Sequence, residues 1–511
     1  MTIPTEDRSD SMRQRRAQLE LPWTHEDDHF IDGAWVASTG QERIDVVDPA
    51  TGEVWGSVPS ATPEDLEAAV RAADRAFSSG TWSGLSAADR AELMLDAAER
   101  IEDRSQELAW TNTRENGSPI AETAKTAGNA AGILRYFAGL ADWVDDAELR
   151  PFPNGPGESL VYKDPIGVCA LIAPWNFPIN LVLAKLAPAL IAGCTVVIKP
   201  ASPTPLSIRF IVQALADAGV PAGVVNLITG PGRMGDALVR HPSVRKVAFT
   251  GSTPVGRKIA AACGEQLKPV TLELGGKSSA VVLEDADLEV LSQRLLRSCL
   301  RNTGQTCYIS MRILAPRSRY DEVVEVVART VSEAEQTDPL EEQADFGPMA
   351  NEAQFRTVLD YLGTAREEGA RVVTGGSALD RPGFWVQPTV LADVTPEMTV
   401  AREEIFGPVL TVLPYDQVEE AIALANSTGF GLGGLVFSAD STRALEVARR
   451  VDTGSIGLNF FASNHAAPFG GRHDSGLGVE FGKEGLSAYL TYQTVHRRLD
   501  HQPPAADAGT R

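Results

Sequence analysis

The stretch GVCALIAPWNFPINLVLAKLAPALIAGCTVVIKP, residues 167–200, decides the fold. Its first eight residues, GVCALIAP, are an uninterrupted apolar run that stops at a proline. PINLVLAKLAPALIAG has helical length and ends on a glycine, and CTVVIKP is a second apolar run. A strand, a helix and a strand without polar alternation predict a parallel β-α-β unit buried on both faces. The rhythm continues outward. LSIRFIVQALADAG (206–219) reads as a helix, and VVNLIT (224–229), KVAFTG (246–251) and VTLELGG (270–276) read as strands. This alternation predicts a doubly wound α/β sheet, with functional loops outside the carboxyl ends of its strands.

On the amino-terminal side, the segment 30–36 is followed by a turn at 48–53. Helical patterns follow, one capped by Thr62 with Asp65 three residues on, another over 87–113. On the carboxyl-terminal side a second α/β unit is expected from about residue 278. The chain has 511 residues, too many for one ordinary core. The expected division is a mobile tail over 1–22, a dinucleotide-binding domain over 23–146 and 165–274, and a catalytic domain over 275–475. Oligomerisation segments are expected at 147–164 and 486–500, and a disordered tail at 501–511.

Composition narrows the function. A net charge of −22 repels phosphate backbones, so no nucleic-acid partner is expected. The longest apolar segment, 178–193, carries Lys185 in its middle, so no membrane span is expected. The first residues lack the apolar core of a secretory signal. The five cysteines, Cys169, Cys194, Cys263, Cys299 and Cys307, form no C-x-x-C pair. Neither a disulfide framework nor a metal site is expected, and a cytoplasmic location is.

Three strand-end or loop signals carry chemistry: PWNFP (174–178), LELGGK (272–277) and GQTC (304–307). Each alone has an ordinary reading, as a helix cap, a solvated turn or a small core thiol. Together they resemble the aldehyde dehydrogenase superfamily. The resemblance runs from about residue 30 to 495 and includes FIDGAWV (30–36), DPATGEV (48–54), the Lys199-Pro200 pair, FTGSTPVG (249–256), NTGQTC (302–307), EEIFGPV (403–409) and PFGG (468–471) with SGLGVE (475–480). Cys307 lies 34 positions after Glu273, the family interval. The resemblance implies an enzyme that oxidises an aldehyde to the carboxylic acid. Cys307 would be the nucleophile, because a thiolate adds to an aldehyde and later leaves as a thiol. The Asn176 amide and the Cys307 backbone N–H would hold the oxyanion, and Glu273 would deprotonate the water that hydrolyses the thioester. His473 stands where the family often has lysine and reads as a loop variation.

The dinucleotide site follows from the same resemblance. GPGRMG (230–235) fits G-x-G-x-x-G after a strand, yet no acid follows at the ribose distance. The family instead uses the next turn, where Gly251 and Gly256 would let the chain approach the pyrophosphate and Ser252 would bond it. Gly230 would lie near the adenosine, Lys199 and Ser202 at its ribose, Glu404 at the nicotinamide ribose and Phe406 near the nicotinamide, with Trp175 and Leu274 also expected to bind the cofactor. NAD is the expected cofactor. NADP is expected to be accepted too, because Ser202 replaces the glutamate that repels a 2′-phosphate in many relatives.

The substrate pocket is expected from Phe177, Ala184, Arg301, Thr306, Tyr308, Ser463 and Phe469. Arg301 stands where succinate-semialdehyde dehydrogenases hold a substrate carboxylate, but it could equally form a structural ion pair. Their second arginine is replaced by Ala184, which would leave apolar space in the entrance channel. Medium-chain, aromatic or terpenoid aldehydes are therefore expected. A succinate-semialdehyde-type enzyme, a CoA-acylating enzyme and a non-catalytic protein on the same scaffold are the alternatives. The segments 159–163 and 488–495 resemble the family's oligomerisation hairpin and its partner strand, so a homodimer or homotetramer is expected.

Overall fold

The structure is a computed structural model that describes residue 25 and residues 27–498. The expected tails over 1–22 and 501–511 lie outside the described residues. The expected β-α-β unit is present, with strands Val168–Ile172 and Thr195–Lys199 and helix Pro178–Ala192 between them. They belong to an eight-stranded sheet. Its five central strands, in the order Val225–Leu227, Thr195–Lys199, Val168–Ile172, Val244–Thr250 and Val270–Glu273, are all parallel. Short antiparallel strands flank them: Asp28–Ile31 with Ala34–Ala37 on one side and Gly476–Leu477 on the other.

Period-two alternation explains why the central strands are apolar throughout. Cys169 and Leu171 pack into a core shared with helix Pro178–Ala192, including Leu183 and Leu190. Val168, Ala170 and Ile172 point the other way, against Ala69 and Val70 of helix Pro63–Ser78 and Ile259 of helix Thr253–Glu265. Both faces are therefore covered, as a doubly wound sheet requires.

Thr62 caps helix Pro63–Ser78 through a reciprocal capping box with Asp65. The helical pattern over 87–113 is two helices, Ala87–Asp103 and Ser105–Asn116. The break falls at Arg104, whose backbone leaves the helical region and whose guanidinium lies 4.4 Å from the Phe210 ring centroid.

The second α/β unit is a seven-stranded sheet. Strands Thr389–Ala392, Val409–Tyr415, Arg312–Pro316, Ser279–Val282, Leu435–Phe437 and Gly457–Leu458 run parallel, and Arg371–Thr374 forms an antiparallel edge. Its two faces again feed separate cores, one through Val281 and Leu314, the other through Val282 and Ile313. The segment around 159–163 lies in strand Gly157–Pro165, which pairs antiparallel with Leu490–Arg498. With Glu148–Pro151 they form a three-stranded sheet.

Candidate active site

The carboxyl ends of the five parallel strands lie along one edge of the first sheet, and the sequence motifs follow them directly. Trp175 and Asn176 come after Ile172, Lys199 ends its strand, Gly230 follows Leu227, Gly251 and Ser252 follow Thr250, and Glu273 ends the last strand.

Cys307 reaches this edge from the second unit. After helix Leu288–Cys299 the chain enters a turn in which Asn302, Thr303 and Gly304 all have positive φ, at 54°, 56° and 77°. Glycine is required at the third position, because a Cβ on Gly304 would meet the Gly407 carbonyl oxygen at 2.0 Å. Two non-glycine residues in this region are strained unless their surroundings hold them. The holding contacts are explicit. Asn302 Nδ2 donates to the Asn176 carbonyl at 3.0 Å, and Asn176 Nδ2 donates back to the Gln305 carbonyl at 2.9 Å. Ser118 donates to Asn302 Oδ1, the Gly347 N–H donates to Thr303 Oγ1 at 3.0 Å, and the Ala350 N–H donates to Gln305 Oε1 at 2.9 Å.

The glycines of LELGGK have a steric reason. A Cβ on Gly276 would meet the Cys307 carbonyl oxygen at 2.2 Å, and one on Gly275 would meet the Glu404 carboxylate at 2.4 Å. The Gly276 N–H donates to Glu404 Oε1 at 3.0 Å. Glu273, Glu404 and Cys307 are thus drawn together by two residues without side chains. At Gly251 and Gly256 the observed crowding is internal. Added Cβ atoms would meet the Phe249 ring and Leu274 Cδ2, both at 2.4 Å. Each glycine thus makes room for the chain's own side chain.

The electrostatics are those of buried, under-partnered groups. Glu273 is buried, and neither carboxylate oxygen has a hydrogen-bond partner. Burial and then the Glu480 carboxylate push its pKa well above the ordinary carboxylate range, against the pull of Lys185. Lys185 is buried too. Its Nζ donates to Glu480 Oε1 and Thr250 Oγ1 at 2.6 Å and to the Leu181 carbonyl at 3.1 Å. Burial lifts Glu404 to about 7, opposed by the Gly276 N–H and Lys277. Lys199 is lowered to about 8 by burial, and its ammonium donates to the Pro200 carbonyl at 3.1 Å. The Cys307 thiol is pushed up by burial and by the Glu404 and Glu273 carboxylates.

Around the strand ends, Ser202 Oγ donates to the Gly230 carbonyl at 3.2 Å. A Cβ on Gly235 would meet Lys199 Cδ at 3.5 Å, an ordinary contact. Ser252 stands at the N-cap of helix Thr253–Glu265 without a capping side-chain bond. Trp175 and Phe406 meet edge to face, with centroids 5.4 Å apart.

A cavity of about 410 Å³ opens onto Cys307 and Asn176. Of the expected pocket residues, Phe177, Arg301, Thr306, Tyr308, Ser463 and Phe469 line it. Ala184 does not, and that expectation is corrected. Only the first turn of helix Pro178–Ala192 reaches the cavity, through Asn180 and Leu181. Ala184, one turn deeper, is 1% exposed in the core. Glu273 also stands behind the wall, and Glu122 and Glu480 are the carboxylates that line the cavity. Sequence reading passed over Glu480 and Lys185, although a lysine inside an apolar helix was their signal. It also passed over Phe461 and Phe481, which lie in a loop and beyond a short strand and follow no period.

Among the described residues, no group of three or more histidine, cysteine or acidic side chains could hold a metal ion, and no helix is long and apolar enough to cross a membrane.

This geometry meets independent comparisons. The aldehyde dehydrogenase family model matches residues 35–495. The chain is 45% identical over 469 residues to a geranial dehydrogenase of Castellaniella defragrans, covering 91% of this chain and 98% of that one. A mutant of aldehyde dehydrogenase C from Pseudomonas syringae, crystallised with NAD+ and octanal, is similar at a TM-score of 0.88 and 39% identity, covering 92% of this chain and 96% of that one. Betaine aldehyde dehydrogenase from Staphylococcus aureus, in complex with NAD+, reaches a TM-score of 0.92 at 34% identity, over 96% of this chain and 99% of that one. The chain belongs to the aldehyde dehydrogenase family, and it is an oxidoreductase acting on the aldehyde group.

Cys169, Cys194, Cys263 and Cys299 are buried, and only Cys307 is part-exposed. The native protein should take up about one equivalent of iodoacetamide per chain. The raised thiol makes that labelling slow at neutral pH and faster as pH rises, because the thiolate reacts. Cys307→Ala should abolish it, and uptake that survives this substitution would place the reactive thiol elsewhere.

Proposed function

We propose that the enzyme oxidises neutral, largely apolar aldehydes to carboxylic acids through a Cys307 thioester, with NAD preferred and NADP accepted. The supporting observation is the aromatic cavity over Cys307, in which Arg301 is already occupied. Arg301 Nε donates to Glu122 Oε1 at 2.8 Å, and a second nitrogen also reaches that oxygen. Its remaining terminal nitrogen donates to the Tyr308 hydroxyl at 2.6 Å, and the guanidinium lies 4.9 Å from the Phe177 centroid.

The cofactor-side groups fit a nicotinamide dinucleotide. The buried Lys199 ammonium has donors beyond the one on Pro200, Ser252 stands at a helix N-terminus with its hydroxyl making no capping bond, and Trp175 and Phe406 make an aromatic corner. When bound, the dinucleotide supplies the hydride acceptor. Ser202 carries no charge to repel a 2′-phosphate, and no arginine stands beside it in sequence to clamp one.

In this reading, the Cys307 thiol gives its proton to solvent in the cavity, and the thiolate sulfur adds to the aldehyde carbon. The carbonyl oxygen becomes an alkoxide, held by the second Asn176 amide N–H and the Cys307 backbone N–H. Asn176 is fixed for this by its bond to Gln305. After the hydride has left, a thioester remains. Glu273 takes a proton from water, which attacks the thioester and releases the acid and the thiol. A carboxylate with a raised pKa is a stronger base once it is ionised. Lys185, by pairing Glu480, moderates the repulsion that raises it.

The cavity volume of about 410 Å³ lies within the range of small-molecule sites. Phe177, Tyr308, Phe461, Phe469 and Phe481 offer ring surface, which suits medium-chain, aromatic or terpenoid aldehydes. The relative named for geranial and the neighbour holding octanal act on or hold uncharged aldehydes, in keeping with this. A succinate-semialdehyde-type reading needs a guanidinium free for the substrate, which the Glu122 pair opposes. The edge strand Leu490–Arg498, exposed along most of its length, supports a homodimer or homotetramer. Five free cysteines suit a reducing, cytoplasmic compartment.

With NAD, kcat/KM for octanal, geranial or benzaldehyde should exceed that for succinate semialdehyde by roughly tenfold or more, the scale of one buried charged group left unpaired. A higher value for succinate semialdehyde than for every neutral aldehyde would overturn the substrate reading. For the cofactor, Ser202→Glu should lower the NADP-to-NAD ratio of kcat/KM. An unchanged ratio would remove Ser202 from that choice.

A further inference from the structure

The ion pair in the cavity wall has a consequence for specificity. Arg301 is six residues before Cys307 in the same loop, so a group bound to its guanidinium would sit a short span from the nucleophile. Glu122 comes from another part of the chain, the short helix Ile120–Thr123, and lines the same cavity. The two side chains are only about a quarter exposed, 27% for Arg301 and 25% for Glu122. Their attraction is therefore less screened than that of a surface pair. Two nitrogens of Arg301 converge on one Glu122 oxygen, in the place where a substrate carboxylate would dock. Lys125 stands 3.9 Å from the other Glu122 oxygen, and the exposed Arg297 also lines the cavity, so Glu122 offsets a cationic mouth.

We propose that Glu122 is a specificity-determining residue: its carboxylate occupies Arg301 in place of a substrate carboxylate and so excludes aldehydes that bear a distal anionic group. Arg301 in turn masks Glu122 from aldehydes that bear a distal cation. The inference rests on the proposed preference for neutral aldehydes and assigns it to one pair of side chains.

Two substitutions test the pair from opposite sides. Glu122→Gln keeps the volume and one acceptor while removing the charge. It should raise the ratio of kcat/KM for succinate semialdehyde over octanal by about tenfold or more, through a lower KM, since charge-assisted hydrogen bonds are gained. Glu122→Gln with Arg301→Met should lose that gain. Arg301→Met alone should raise the ratio for 4-aminobutyraldehyde over octanal instead. Thermal melting of each variant separates misfolding from specificity, and either single variant suffices if the other does not fold. Folded variants whose ratios stay at the wild-type value would overturn the assignment. A wild type that already prefers succinate semialdehyde would instead overturn the substrate reading on which it rests.

Discussion

The site depends on one reciprocal pair of hydrogen bonds. Asn302 donates its amide to the Asn176 carbonyl, and Asn176 donates its amide to the Gln305 carbonyl. Asn176 stands in the loop after strand Val168–Ile172 of the first sheet, and Asn302 and Gln305 stand in the turn that delivers Cys307 from the second unit. The bonds therefore join two separately cored sheets where the chemistry must occur. They also hold Asn302 and Thr303 in a left-handed conformation that costs about 1–3 kcal/mol per residue. Removing either amide would leave a buried carbonyl without that donor and release the turn.

The glycine pair after Glu273 extends the same constraint. Gly275 and Gly276 allow Glu404 and the Cys307 backbone to approach from the other side. Within this enclosure charges are buried with few partners. Glu273 has none, Glu404 has one backbone N–H, and Lys185 binds Glu480. Such arrangements weaken a fold, and groups with displaced proton affinities are what acid–base chemistry uses. Glu115 provides a contrast. Burial lifts it to about 7 as well, yet its carboxylate is satisfied by the N–H groups of Leu206 and Ser207 and by the Ser207 hydroxyl, which tie helix Ser105–Asn116 to the start of helix Ile208–Asp217.

Much of this was legible in the residues themselves. The strands around Val168 and Val196 were readable because both faces are apolar, and the capping box at Thr62 because its two residues lie three apart. Cys307, Glu273 and Asn176 were readable because each sits in a contiguous motif. What escaped was long-range. Arg301 could be read as a carboxylate binder or an ion-pair partner, and the decision lies with Glu122, 179 positions away. Ala184 was placed in the channel by counting along a helix whose depth the count does not contain. Lys185 was read only as a charge that argues against a membrane span, because its partner Glu480 lies 295 positions on.

In the proposed mechanism Cys307 carries the acyl group and Glu273 delivers the water that removes it. Intact-protein and peptide mass spectrometry of Glu273→Gln, mixed with octanal and NAD+, tests it most directly. Steady-state turnover should be slowed by ~10²–10⁴-fold, the usual contribution of general base catalysis, and an octanoyl group should appear on the peptide that contains Cys307. Turnover at the wild-type rate with no acyl group on that peptide would contradict it.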